Sequence, residues 1–218
     1  MLSLQLDQAV HDRGFTVLAL GAHSDDIEIG CGGTILRLAE LAPSARVHWV
    51  VLSGGGERAE EAKASASAFL GGFASSSAVV ESFRDGFFPY VGGGVKEFFE
   101  HLKAELSPDL ILTHQRGDLH QDHRHVCELT WNTFRDHLIL EYEIPKYDGD
   151  LGSPNLFVHL SEEIAERKVK AILDHFSSQH DRRWFTQDLF LATLRLRGME
   201  SNSPSRFAEA FYCRKLVL

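Results

Sequence analysis

The chain has 218 residues, of which 44% are hydrophobic and 24% are charged, a composition typical of one or two globular domains. Acidic residues outnumber Lys and Arg by 31 to 22, and the resulting net charge of -9 argues against binding to a nucleic-acid backbone. No apolar run approaches the roughly 20 residues that a membrane span needs, and residues 1–15 contain Asp7, Asp12 and Arg13, unlike a secretory signal peptide. Three scattered cysteines do not make a disulfide framework. We therefore expect a cytoplasmic protein.

Continuously apolar strands alternate with helices along the first part of the chain. The predicted strands cover residues 15–20, 46–52, 78–82 and 109–113, and the predicted helices cover residues 33–42, 58–70, 95–106 and 122–137. Further extended segments are expected at 139–144, 156–160 and 207–218, with helices at 162–176 and 184–197. This pattern is typical of a parallel sheet covered on both faces. We predict the α/β class, with one Rossmann-like domain over residues 1–218 and a mostly parallel sheet flanked by helices.

The loop after the first predicted strand carries His23, Asp25 and Asp26 just before a helix. Burying two neighbouring carboxylates is costly unless a positive charge compensates them, which a divalent metal would do. Because adjacent side chains in an extended segment diverge, one aspartate could ligate a metal while the other faces a metal-bound water. The alternative is a turn and helix N-cap without any metal.

The loop after the fourth predicted strand is rich in histidine, with four histidines within twelve residues. His120 and His123 are three residues apart and bracket Asp122, so on a helical turn both imidazoles could converge on one point. A surface turn is the alternative interpretation. In a parallel α/β sheet both loops lie at the same edge, where ligands bind.

Taken together, the two loops supply His23, Asp26 and His123, which are ligands of the type that zinc accepts. A catalytic zinc site leaves its fourth position open, whereas a structural one is closed and rich in Cys. Asp25 would then serve as general base and His120 would face the developing oxyanion. These parts predict a metal-assisted hydrolase.

At these residues the chain resembles the PIG-L/LmbE-like family of zinc-dependent N-acetylglucosamine deacetylases. The two strong matches are Ala22-His-Ser-Asp-Asp26 and His120-Gln-Asp-His123. Weaker matches follow at Arg58-Ala-Glu-Glu61, Ser178-Gln179 and Glu209-Ala-Phe211, in the family's order along the chain.

The resemblance implies removal of the N-acetyl group from an N-acetylglucosamine-containing or related amino sugar, by attack of a metal-bound water. Zn²⁺ is the expected cofactor, and another divalent transition metal would fit the same ligands. The resemblance assigns the metal ligands to His23, Asp26 and His123, the general base to Asp25, the stabiliser of the tetrahedral intermediate to His120, and the carboxylate that orients His120 to Asp122.

Two further residues are candidates for binding substrate. Arg58 could grip a phosphate or a sugar hydroxyl, or simply pair with Glu61 on its own helix. Asp85 could bind sugar hydroxyls, or serve only as the Asp of an Asp-Gly turn. We expect His114 and Asp118 to support the metal ligands from behind.

Two other functions stay open at this point. A zinc amidase acting on another acyl-amine would use the same water attack. A nucleotide-binding Rossmann protein such as a methyltransferase would share the strand, loop and helix, but Gly30, Gly32 and Gly33 come only after the acidic pair and form no Gly-x-Gly-x-x-Gly fingerprint. The expected partner is a small amino sugar, and the sequence leaves its identity and homo-oligomerisation open.

Overall fold

The computed structural model describes residues 14–217. Most of residues 1–15, the segment compared above with a secretory signal peptide, therefore lies outside the described residues. Its centre is a seven-stranded sheet in the order β3-β2-β1-β4-β5-β7-β6. The strands are β1 (Thr16–His23), β2 (Arg46–Ser53), β3 (Ser75–Val80), β4 (Leu110–His114), β5 (Leu138–Tyr142), β6 (Leu156–Leu160) and β7 (Phe207–Cys213). The first five strands are mutually parallel, and β7 runs antiparallel to both β5 and β6. The predicted α/β class and mostly parallel sheet are confirmed.

Six helices flank the sheet in the described part of the chain. They are α1 (Asp26–Leu41), α2 (Glu57–Leu70), α3 (Gly92–Glu105), α4 (Gln121–Thr133), α5 (Glu162–His175) and α6 (Gln187–Glu200). Apolar residues of α1, α2, α5 and α6 form the core on one face, and those of α3 and α4 form the core on the other. Across residues 14–217, no helix has the length and apolar character needed to cross a membrane.

The central strand β1 shows why its sequence is apolar throughout. Val17 and Ala19 belong to the first core, Leu18 and Leu20 to the second, and all four are fully buried. A parallel strand with helices on both faces has no solvated side, so its side chains do not alternate between apolar and polar.

Helix α1 begins at Asp26, seven residues before the predicted start, because close packing overrides the weak helix propensity of its glycines. A Cβ atom on Gly30 would lie 2.1 Å from the ring of Tyr142, and one on Gly32 would lie 2.6 Å from Phe69. These glycines let the helix approach its neighbours. They do not form a phosphate-binding loop, which removes the support for a nucleotide-binding protein.

Several other boundaries differ from the prediction: the helices expected at 95–106 and 184–197 cover 92–105 and 187–200, and the strand expected at 207–218 ends at Cys213. Helix α4 ends at Thr133 and not at residue 137, because the buried Phe134 has left the helical conformation, with φ -113° and ψ 59°. Strand β3 covers Ser75–Val80 and not residues 78–82, since it pairs in register with β2 from Ser75 onward.

A buried ion pair between β7 and α5 is hydrogen-bonded to the middle of α1. Glu209 of β7 accepts hydrogen bonds from the backbone N–H groups of Gly33 and Thr34 at 2.7 and 2.6 Å, and from the Thr34 hydroxyl at 2.6 Å. Lys168 of α5 donates to Glu209 at 2.6 Å and to the carbonyl of Ile29 at 2.7 Å. Four of these bonds reach the middle of α1, the helix whose N-terminus carries Asp26.

The chain leaves β1 toward β2 on one side, while β4 lies on the other side of β1. Strand order therefore reverses between β1 and β4. In open α/β sheets ligands bind in the crevice beyond the carboxyl ends of the strands at such a point. The loops that end in α1 and α4 meet there.

Candidate active site

Three side chains, those of His23, Asp26 and His123, meet at the end of β1 and the starts of α1 and α4. His23 Nδ1 lies 3.1 Å from His123 Nε2 and 3.3 Å from Asp26 Oδ2, while His123 Nε2 lies 3.5 Å from Asp26 Oδ1. Ligand atoms about 2.0–2.1 Å from a tetrahedral zinc ion are separated by about 3.3–3.4 Å. The two imidazole nitrogens and the two oxygens of the Asp26 carboxylate therefore lie at about this spacing and are of the kinds that zinc accepts; we call these three residues the ligand triangle.

The close spacing of His23 and Asp26 comes from the strand-to-helix turn. His23 is the last residue of β1 and Asp26 the first of α1, and Asp26 Oδ2 accepts the backbone N–H of His23 at 2.6 Å. Burial would raise the pKa of Asp26, but His123, His114 and His23 hold that pKa well below its usual range. Asp26 is therefore ionised and able to ligate a cation.

The orientation of His123 is set by Asp118. Asp118 Oδ2 lies 2.9 Å from His123 Nδ1, so the ring donates its Nδ1 proton to the carboxylate and turns Nε2 toward His23. A carboxylate behind a histidine in this way fixes the tautomer that binds a metal. The structure thus places Asp118 in the supporting position expected from the sequence.

His114 is fully buried beneath the same triangle. Its Nε2 atom lies 3.2 Å from Asp26 Oδ2 and 3.0 Å from the backbone nitrogen of Ala22, and its ring stacks on His123 with centroids 4.0 Å apart. It therefore packs behind two of the candidate ligands, as expected. His114 also forms an alternative three-donor set with Asp26 and His123, and His120 forms one with the two histidines of the triangle.

His23 is oriented by two carboxylates. Its Nε2 atom lies 3.0 Å from Asp85 Oδ1 and 3.4 Å from Asp122 Oδ2. Asp122 is fully buried, and its carboxylate accepts the backbone N–H groups of Gly86 at 2.7 Å and Phe88 at 3.1 Å. The loop that follows β3 and the first turn of α4 therefore share one carboxylate, which sits against His23.

The structure gives Asp122 and Asp85 contacts that the sequence did not indicate. Asp122 was expected to orient His120, but its oxygen atoms are taken by two backbone N–H groups and by His23. Asp85, a candidate either for binding sugar hydroxyls or for an Asp-Gly turn, contacts His23 while 74% of its side chain stays exposed. Burial lowers the pKa of His120, which favours a neutral imidazole.

Asp25 lies beside the triangle and is held by Arg58. The guanidinium Nη2 atom is 2.9 Å from Asp25 Oδ1. Burial raises the pKa of Asp25, and the Arg58 charge opposes that rise. Arg58 does not pair with Glu61, the alternative considered from the sequence. Glu61 instead accepts hydrogen bonds from the backbone and hydroxyl of Ser178 at 2.8 and 2.6 Å, which brings two of the weaker motifs together.

Asp25 and the three residues of the ligand triangle line an open pocket of about 620 Å³, within the range of small-molecule sites. Arg58, Asp85 and His120 reach it, as predicted. Lys146 and Trp184 also line it, and the sequence pointed to neither of them. Neither residue belongs to a motif, and both reach the pocket from elements that follow β5.

Residues 18–134 match the model of a protein family described as PIG-L, GlcNAc-PI de-N-acetylase. The match covers more than half of the 218 residues and includes every candidate ligand. No curated protein matches the chain significantly.

Several solved structures share the fold. The conserved protein TT1542 from Thermus thermophilus has a TM-score of 0.73 at 20% identity, over 93% of this chain and 95% of that one. N,N'-diacetylchitobiose deacetylase from Pyrococcus horikoshii has a TM-score of 0.71 at 21% identity, over 94% and 88%. The 4-carboxy-2-hydroxymuconate hydratase GalB from Pseudomonas putida has a TM-score of 0.69 at 16% identity, over 94% and 98%. Likeness at such identity shows the fold alone, and the fold alone does not fix the reaction.

Proposed function

Since this chain belongs to the PIG-L family of GlcNAc-PI de-N-acetylases, we propose that it is a metal-dependent N-deacetylase acting on an N-acetylglucosamine-containing or related amino sugar. The observation that carries the proposal is the convergence of His23, Asp26 and His123, whose facing nitrogen and carboxylate oxygen atoms lie 3.1–3.5 Å apart, in the wall of a pocket of about 620 Å³. The single domain predicted for residues 1–218 is part of the same proposal.

The donor set fits Zn²⁺, because two imidazole nitrogens and one carboxylate are the ligand types of a catalytic zinc site, and His23, Asp26 and His123 would hold the ion at the wall of the pocket. Bound there, the ion would supply a Lewis acid and lower the pKa of water toward neutrality. The side chains behind the ligands support this assignment. Asp118 holds His123 through Nδ1, and Asp85 and Asp122 hold His23 through Nε2, so each ring presents its other nitrogen to the ion.

Asp25 is the general base of the proposed reaction. Arg58 fixes its carboxylate through Oδ1, beside the ligand triangle. Burial raises the pKa of Asp25, which brings it closer to the neutral range in which a base works best. Asp25 would take a proton from the water that attacks the acetyl carbonyl and return it to the departing amine.

His120 is placed to stabilise the negative charge that develops on the carbonyl oxygen. Its ring lies at the mouth of the site, 4.9 Å from the ring of His23 and 4.5 Å from that of His123. As a neutral imidazole it donates one N–H hydrogen bond to the oxyanion. Arg58 and Asp85 reach the same pocket and remain our candidates for binding sugar hydroxyls.

The test is acetate release by the zinc-loaded protein from the free sugar, its oligomers, glycosides and nucleotide diphosphate forms. Asp25→Asn should keep its zinc and lose about 10²–10⁴ in rate, the usual share of general acid–base catalysis. Asp174→Asn, a change at a surface carboxylate that is 54% exposed, is the matched control.

Turnover of Asp25→Asn near the wild-type rate would refute the assignment of the base. Zinc binding without acetate release from any sugar would refute the amino-sugar substrate and favour an amidase acting on another acyl-amine.

A further inference from the structure

Lys146 is a lysine with little exposure to solvent that lies in the connection between β5 and β6, outside the part of the chain matched by the family model. Only 10% of its side chain is exposed. Its Nζ atom is 3.0 Å from Asp118 Oδ1 and also pairs with Asp150 Oδ2. An ammonium group with this little access to water is costly unless it is paired, so its two carboxylate partners account for its position.

Both carboxylates act on the loop that precedes α4. Asp118 Oδ1 accepts the backbone N–H of His120 at 2.8 Å as well as Lys146, while its Oδ2 accepts the ring of His123. Asp150 Oδ2 accepts the backbone N–H of Leu119 at 2.7 Å. Lys146 therefore joins the β5–β6 connection to the carboxylate behind a candidate metal ligand.

We propose that Lys146 is a positioning residue for the metal site. Its ammonium group fixes the rotation of the Asp118 carboxylate, which in turn holds His123 with Nε2 turned toward His23 and Asp26. The proposal depends on the ligand set of the proposed function, but it concerns metal affinity and not the identity of the substrate. Because Lys146 also reaches the pocket, its other conceivable use is to bind an anionic group of a substrate. Two of its three N–H donors are directed at the carboxylates and the third at the backbone carbonyl of Ile144, 3.5 Å away, so binding an anion would require it to give up one of these contacts.

The experiment measures Zn²⁺ affinity of the purified apoprotein by competition with a chelator, with no substrate present. Lys146→Met should weaken zinc binding about 10–100-fold, as is usual when a group behind a metal ligand is lost. In an Asp118→Asn background, Lys146→Met should weaken zinc binding less than about threefold, because the carboxylate through which Lys146 acts has lost its charge. Lys170→Met, which removes an exposed lysine paired with Asp174, is the matched control and should leave the affinity unchanged.

Unchanged zinc affinity in Lys146→Met would overturn the proposal. An equal loss in the wild-type and Asp118→Asn backgrounds would also overturn it, because a general structural effect does not depend on Asp118. Lys146→Gln keeps a hydrogen-bond donor without the charge and replaces the methionine variant if that one does not fold. Acetate release is assayed separately, so a protein that shows this zinc pattern without turnover would refute the deacetylase and leave the role of Lys146 standing.

Discussion

Replacing Glu209 with alanine tests whether α1 is held in place by the buried ion pair. The truncation leaves the Lys168 ammonium, only 3% exposed, with the Ile29 carbonyl as its remaining partner. It also removes the acceptor of two backbone N–H groups and one hydroxyl on α1, at Gly33 and Thr34.

The expected loss follows from those contacts. Removing one partner of a buried ion pair costs about 3–5 kcal/mol, because the other charge is left uncompensated. Glu209→Ala also leaves three hydrogen-bond donors on α1 without their carboxylate acceptor. Its expected loss is therefore at the upper end of that range, about 4–5 kcal/mol. Glu209→Gln also leaves the Lys168 charge uncompensated but keeps an acceptor oxygen and the shape of the side chain, so it should lose about 3 kcal/mol, the lower end of the same range.

Urea denaturation followed by circular dichroism measures both losses. With a slope of about 2–3 kcal/mol/M for a chain of this size, the midpoint of Glu209→Ala should fall by about 2 M. Asp174→Ala removes an exposed partner of Lys170 on α5 and should change the stability by less than about 1 kcal/mol. A loss below about 1 kcal/mol in Glu209→Ala would refute the reasoning, because the ion pair would then not secure α1.

Three further predictions concern the site and its supporting helix. His23→Ala should be purified without zinc after dialysis, and full occupancy by elemental analysis would contradict the ligand set. Gly30→Ala, whose Cβ would lie 2.1 Å from a buried tyrosine ring, should lose about 1–3 kcal/mol. Gly55→Ala, with no described atom within 4 Å, should lose much less, and equal losses in urea would count against the packing argument. Burial raises the pKa of Glu28 well above its usual value. The stability that Glu28 contributes is therefore present below its pKa in the unfolded chain and is lost as pH rises through its pKa in the folded protein. Glu28→Gln should therefore gain stability over the wild type at pH 8 but not near pH 4, and a difference that does not change with pH would disprove this.

The alternation of apolar strands with helices was enough to predict the sheet and its two covered faces. Where boundaries were wrong, long-range contacts decided them. Gly30 has a low helix propensity, yet it lies inside α1 because only a glycine lets that helix approach Tyr142. The sequence predicts that α4 continues through Phe134, but this side chain is buried in the core formed by α3 and α4, and the chain turns there toward β5.

The candidate ligands were predictable because short motifs at adjacent strand ends carry them. The contacts that Asp85 and Asp122 make with His23 were not. Which imidazole Asp122 faces depends on the N–H groups of Gly86 and Phe88, which belong to a loop 34–36 residues away in sequence. Lys146 reaches Asp118 from beyond β5, and a single lysine in a loop carries no signal of that contact.

The two histidines of the ligand triangle are 100 residues apart in the chain. At about 5–20 residues per second, a ribosome needs roughly 5–20 s to add the segment between them. Until β4 has paired with β1, the nascent chain has no place where their nitrogens meet. An ion that binds only the folded chain also adds its binding free energy to the folded state. Metal loading would therefore be a late event in the maturation of the protein, and every loaded molecule would be one whose central strands have already paired.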